Sequence, residues 1–110
     1  MPLPPGYLER SIREQLDVLL SAGLAPLEAR LALLPRLWLR SRQELEFINC
    51  QGWPAAYRNQ KLAESCGFWA ELWSLLRYHL ERGEAADAEH LLDKALARVE
   101  PAPASVGARP

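Results

Sequence analysis

A heptad-like row of apolar residues in the second half of the chain most constrains its fold. Its members are separated by alternating steps of four and three residues, a spacing typical of one face of a buried helix. The row consists of Leu62, Cys66, Trp69, Trp73, Leu76 and Leu80. A second apolar row runs beside it and consists of Phe68, Leu72 and Leu75. Two adjacent rows make a wide apolar face, so we expect a central helix that packs on more than one side.

Segments with the same periodicity precede and follow this helix, and together they predict an all-α fold, a compact bundle of four or five helices. The first helix is expected from about Tyr7 to Ala22, and the last from Glu84 to about Val99. Prolines at positions 26, 35 and 54 suit the first turn of further helices. Pro35 leaves two alternatives open, a kink in the second helix or the start of a third.

The length of 110 residues predicts a single domain. We expect residues 1–6 to form an N-terminal arm and residues 7–100 to form the helical domain. Residues 101–110 are rich in proline and small side chains, which predicts a disordered tail.

Several classes of protein fit the composition poorly. The formal net charge of −1 is a poor balance for binding nucleic acid. The chain contains neither an apolar run of about 20 residues, as a membrane span requires, nor the features of a secretory signal at its start. Cys50 and Cys66 are too few for a disulfide framework. We therefore expect a cytoplasmic protein with reduced, partly buried thiols and no membrane association.

No catalytic signature is present in the sequence. It contains no phosphate-binding glycine loop, no H-E-x-x-H and no G-x-S-x-G motif. His79 and His90 are expected to be packing or surface residues, and Cys66 has no base nearby in sequence. We expect a protein that is not an enzyme and that binds neither a cofactor nor a metal.

The aromatic residues of the central helix indicate a binding function, because Trp and Tyr are enriched at interaction hot spots. The candidate partner-binding residues on this helix are Phe68, Trp69, Leu72, Trp73, Leu76 and Tyr78. A second candidate patch consists of Trp38, Arg42 and Phe47. The expected partner is another protein, such as a transcription regulator, and an exposed apolar row also predicts a homodimer with two-fold symmetry. Burial of Trp69 and Trp73 in the core is the alternative.

A second functional hypothesis is a helical regulator that binds nucleic acid. Residues 56–65, AYRNQKLAES, could form a recognition helix. Arginines also cluster around Trp38, but Glu44 and Glu46 dilute that cluster. The charge balance therefore favours a protein partner over nucleic acid.

Residues 72–101 resemble one helical hairpin of the tetratricopeptide repeat family. The matching positions are Leu72, Leu75, Gly83, Ala88, Ala95, Leu96 and Pro101. Leu76 departs from the pattern, because that family has a glycine or another small residue at this point. The resemblance implies two antiparallel helices and a third functional hypothesis, a small accessory chaperone.

In size, helical class and the aromatic surface from Phe68 to Tyr78, the chain is similar to small anti-activator proteins of proteobacteria of the QslA type. Those proteins bind a quorum-sensing transcription factor and disable it. The resemblance implies an inhibitory role, in which the protein covers the oligomerisation or ligand surface of its partner.

Overall fold

Five α-helices follow one another along the chain, and residues 3–101, which this computed structural model describes, contain no β-strand. A short 3-10 helix, Tyr7–Glu9, comes first. The α-helices are α1 (Ile12–Ser21), α2 (Pro26–Ala32), α3 (Leu34–Asn49), α4 (Ala55–Glu81) and α5 (Ala85–Val99). The predicted all-α bundle is confirmed. The part of the expected tail at 102–110 lies outside the described residues, as do residues 1 and 2 of the expected arm.

The first helix begins later than its apolar periodicity predicts. The expected start at about Tyr7 is wrong, because Ser11 separates the 3-10 helix from α1 as an extended N-cap. The Ser11 hydroxyl accepts a hydrogen bond from the Glu14 N–H (3.1 Å), and the Glu14 carboxylate accepts one from the Ser11 N–H (3.1 Å). This S-x-x-E capping box satisfies two N–H groups at the helix start.

The carboxylate of Glu100 caps α1 from the other end of the chain. It accepts hydrogen bonds from the N–H groups of Ile12 (2.8 Å) and Arg13 (2.9 Å). These are the first two N–H groups of α1, and no carbonyl within the helix can reach them. The Arg13 guanidinium donates to the Glu100 carbonyl (2.7 Å), and Arg40 donates to the Val99 carbonyl (2.6 Å). The end of α5 is thereby fastened to both α1 and α3.

Pro35 starts a new helix, so the second of the two alternatives is confirmed. α2 ends at Ala32, Leu33 separates the helices, and Pro35 lies in the first turn of α3. A proline in the first turn costs no helical hydrogen bond, because the N–H groups there have no partner within the helix.

The long helix α4 packs on two sides, as the two apolar rows predict, but the expected central position is wrong: α5 is the central helix, because it packs against α2, α3 and α4. α4 continues through Gly67 for 27 residues and packs against α3 and α5. An interior glycine costs a helix about 1 kcal/mol, a cost that burial of the helix on two sides offsets. Gly83 ends the turn that follows α4 with a positive φ of 71°, a conformation that favours glycine.

The row that α4 buries differs from the predicted heptad row. Its four buried residues are Ser65, Trp69, Leu72 and Leu76. Only Trp69 and Leu76 belong to the predicted row. Ser65 is buried where the prediction has Cys66, and Leu72 is buried where it has Trp73. Both Cys66 and Cys50 are exposed, which corrects the expectation of partly buried thiols.

The core is assembled from the 3-10 helix, from all five α-helices and from the α2–α3 junction. Its largest contributions come from α1, α4 and α5. Gln15 is buried among these apolar side chains, and both its amide nitrogen and its amide oxygen form hydrogen bonds. Its amide donates to the Tyr7 carbonyl (2.8 Å) and its oxygen accepts from Arg36 (2.8 Å). A buried polar group with both partners is retained at little cost.

Candidate interaction surface

An apolar groove lies between the start of α3 and the end of α4. Its volume is about 490 Å³. The two helices are consecutive and joined by a short loop, so the start of one meets the end of the other. The groove is lined by Leu34, Trp38, Trp73, Leu76, Arg77, Leu80 and Glu81. Apart from one charged pair on its rim, the lining is apolar, which is typical of a protein surface that binds a ligand or partner.

Trp38 forms the α3 wall of this groove and is 52% exposed. Leu34 lies one turn earlier on the same face of α3 and continues the wall. The Arg42 guanidinium lies 5.4 Å from the centre of the Trp38 indole, a cation–π contact. This contact favours one orientation of the indole, so the exposed ring is partly preorganised.

Trp73 forms the opposite wall and is half-buried. Its ring stacks on Trp69, with centroids 5.4 Å apart and an interplanar angle of 25°. Trp69 itself is 4% exposed, and its indole N–H donates to Glu44 (3.3 Å). The two tryptophans were expected to lie on one face, but the structure separates them into a core residue and a groove residue.

Glu44 connects α3, α4 and α5 behind this wall. Its carboxylate accepts hydrogen bonds from Ser65, Trp69 and Arg98, the last at 2.8 Å. Partial burial raises the pKa of Glu44, but the hydrogen bonds from Arg98 and Ser65 outweigh that effect. The net result is a Glu44 pKa below its ordinary value. The carboxylate is therefore held in its charged form and positions the Trp69 ring on which Trp73 stacks.

Four of the candidate residues on α4, namely Phe68, Trp69, Leu72 and Leu76, are buried or half-buried by the chain itself. Leu72 is 3% exposed and Leu76 is 4% exposed, although Leu76 reaches the floor of the groove. Phe68 is half-buried under two cations, with Arg98 at 4.2 Å and Lys94 at 5.6 Å from its ring centre. α5 packs on this side of α4, so the partner surface expected on Phe68, Trp69 and Leu72 is already covered by the chain's own last helix.

The remaining candidates divide between the groove and other surfaces. Trp38 and Arg42 lie together, as the second patch predicts, but Phe47 lines a different, smaller cleft beside Arg98. Tyr78 is exposed outside the groove lining, and the Arg82 guanidinium lies 5.2 Å from its ring centre. The structure therefore joins Trp38 from the second patch with Trp73 from the first.

Four residues of the groove lining were missed as site candidates, namely Leu34, Arg77, Leu80 and Glu81. Leu34 precedes Trp38 by four residues, and Leu80 belongs to the predicted heptad row. Helical spacing thus places each on the correct face of its own helix. Spacing within one helix does not show which face of α3 meets which end of α4.

Three of the basic residues behind the nucleic-acid hypothesis have partners within the chain. Arg36 donates to the Arg10 carbonyl (3.0 Å) and to Gln15, and Arg40 pairs with Glu100 (3.4 Å). Lys61 lies 3.5 Å from Glu64. Because these groups are neutralised or fixed by internal partners, they form a weak platform for phosphates.

A histidine–carboxylate cluster fastens the turn between α4 and α5. His79 Nδ1 lies 2.7 Å from Glu84 and 3.9 Å from Asp87, and Arg82 also donates to Glu84 (3.2 Å). The hydrogen bonds from His79 and Arg82 hold the pKa of Glu84 below its ordinary value. Glu84 and Asp87 are at the start of α5, where the helix dipole favours negative charge. The cluster therefore has a structural role, which is to hold the turn between α4 and α5.

Comparison with known proteins identifies no family for this chain. It matches no family model, and no curated protein or solved structure gives a significant match. Among residues 3–101, no helix combines the length and the apolar character that crossing a membrane requires.

Proposed function

We propose that this protein is a non-enzymatic interaction module that binds an apolar helix of a partner protein in the α3–α4 groove. The observation that carries the proposal is the pair of tryptophan walls, Trp38 and Trp73, above an apolar floor at Leu76. A groove between two helices that is lined in this way suits the helix-in-groove mode of recognition. Tryptophans that become fully covered on binding supply a large share of the affinity.

We propose further that binding is regulatory and takes place in the cytoplasm. A small protein that covers an apolar helix of its partner prevents that helix from making other contacts. If the partner is a transcription regulator that oligomerises through this helix, binding of the helix in the groove is enough to inhibit it, and no catalysis is needed. This mode is the one that the resemblance to small anti-activators implies.

Affinity capture tests the proposal against its alternatives. The intact protein, immobilised through its N-terminus, is exposed to an extract of its source cells, and bound material is identified by mass spectrometry. The proposal expects one stoichiometric protein partner. Recovery of nucleic acid that disappears after nuclease treatment would favour the nucleic-acid regulator, and recovery of many unfolded proteins would favour the chaperone.

A matched variant makes this capture specific to the groove. Trp38→Ala removes one wall, and Leu39→Ala removes a neighbouring apolar side chain of equal exposure, 51% against 52%. Leu39 does not line the groove. The partner should be lost with Trp38→Ala and retained with Leu39→Ala.

A further inference from the structure

We propose that a second copy of the chain covers the groove in the free protein, as an isologous homodimer with two-fold symmetry. The dimer is inferred from the shape and charge of the groove alone. Its consequence for partner binding, described below, rests on the proposed function.

A two-fold interface requires one patch that is complementary to itself, and the groove combines a half-exposed aromatic wall with an apolar recess. The wall is the indole of Trp38, which is 52% exposed, and the recess is bounded by Trp73, Leu76 and Leu80. A two-fold rotation places Trp38 of each copy at the recess of the other. The exposed ring and the open apolar lining are then both removed from water, which favours association.

The charges on the rim are also self-complementary. Arg77 and Glu81 are one helical turn apart on the exposed edge of α4, with 3.1 Å between their charged groups. Across a two-fold axis that passes between them, Arg77 lies opposite Glu81 of the second copy, and Glu81 lies opposite its Arg77. A rim of a single sign would repel its own copy. One cation and one anion in this arrangement favour a second copy over a partner of one charge.

Self-association and partner binding would then exclude each other, because both cover Trp38 and Trp73. Partner binding must draw on the monomer, so the dimer lowers the apparent affinity of the partner by mass action. The free protein also keeps its apolar groove away from non-specific contacts. Titrating the dimer with partner should yield complexes that contain one chain.

Sedimentation velocity on the chain alone tests the dimer. Across low micromolar to millimolar concentration, the mass should rise from 12.4 kDa to twice that value. Trp38→Ala should raise the dimer dissociation constant by about 30-fold or more, the effect of losing a hot-spot anchor. Leu39→Ala, equally exposed but outside the groove, should leave it nearly unchanged. A monomer at every concentration, or a dimer indifferent to Trp38→Ala, would overturn the proposal.

A charge exchange tests the two-fold arrangement itself. Arg77→Glu and Glu81→Arg should each weaken the dimer by about 3-fold or more, because like charges then face each other. The double variant Arg77→Glu/Glu81→Arg should recover the original dissociation constant within about 2-fold. These side chains are 82% and 65% exposed, so the exchange leaves the fold intact. A double variant as weak as the single ones would overturn the arrangement. Because no partner is present, failure of the proposed function leaves these outcomes unaffected.

Discussion

Trp69 and Trp73 stack at 5.4 Å, yet only Trp73 reaches the groove. Trp69 is closed in by α3 and α5 through Glu44 and Arg98. One aromatic pair thus connects the core to the surface, and the buried ring supports the half-buried one. The wide apolar face of α4 therefore divides into a core row and a groove row.

Substitution of the two tryptophans should cost the fold different amounts of stability. Trp69→Ala should cost about 3–5 kcal/mol of unfolding free energy, the usual loss for a fully buried aromatic. Trp73→Ala should cost roughly 1–2 kcal/mol, because its ring is only half-buried and full burial is worth about 1.5–3 kcal/mol. Chemical denaturation of both variants measures these values. Equal losses would show that Trp73 is as much a core residue as Trp69.

Acid should destabilise the protein through Glu44. Its folded-state pKa is below the ordinary value of 4.5, so its contacts stabilise the fold fully above that pH. This contribution is lost as the pH falls through the lower, folded-state pKa. Glu44→Gln should cost about 1–3 kcal/mol at neutral pH, and its difference from the natural protein should shrink in acid. Thermal melting from neutral to acidic pH measures both; a difference independent of pH would contradict this role.

Removal of the long-range cap should loosen both ends of the bundle. Glu100→Ala leaves the first two N–H groups of α1 without their carboxylate and should cost about 1–2 kcal/mol, the usual range for an N-cap. The matched control is Glu46→Ala, which changes an exposed glutamate on α3. Hydrogen exchange should report faster exchange at Ile12 and Arg13 only in Glu100→Ala. Unchanged protection there would contradict the cap.

Partner affinity should depend weakly on salt. The groove offers apolar anchors and one internally paired rim, so moderate ionic strength should change the dissociation constant by less than about 3-fold. Contacts to phosphates would instead give a steep linear fall on a log–log plot. Titration calorimetry with the captured partner at several salt concentrations measures the slope. A steep dependence of the affinity on salt concentration would contradict the proposal and favour the nucleic-acid hypothesis.

Local signals predicted most of the fold. Helical spacing and the prolines at 26, 35 and 54 correctly indicated an all-α bundle and the approximate starts of α2 to α4. The start of α1 was missed, because its apolar periodicity extends back to Leu8, while the Ser11–Glu14 capping box determines the boundary. The buried Ser65 was also missed, since a serine is recognised as a core residue only when its partner, Glu44, is known.

The groove could be predicted only in part. Trp38, Arg42 and Trp73 were candidates because aromatic and arginine side chains are common at interfaces. Their assembly into one surface depends on how α3 and α4 pair, which is a property of tertiary packing. Coverage of Phe68 by Arg98 and Lys94 likewise depends on the position of α5. The spacing of apolar residues within one helix does not show which distant segments that helix contacts.

The affinity of the captured partner for Trp38→Ala, measured beside Leu39→Ala, tests the groove most directly. Both variants remove an apolar side chain from α3 at nearly equal exposure, and only Trp38 lines the groove. If the groove is the binding site, Trp38→Ala should lose about 2 kcal/mol or more of binding free energy, roughly 30-fold in dissociation constant. Leu39→Ala should change the dissociation constant by no more than about 2-fold. Equal effects of the two variants, or full affinity in Trp38→Ala, would contradict the groove as the binding site.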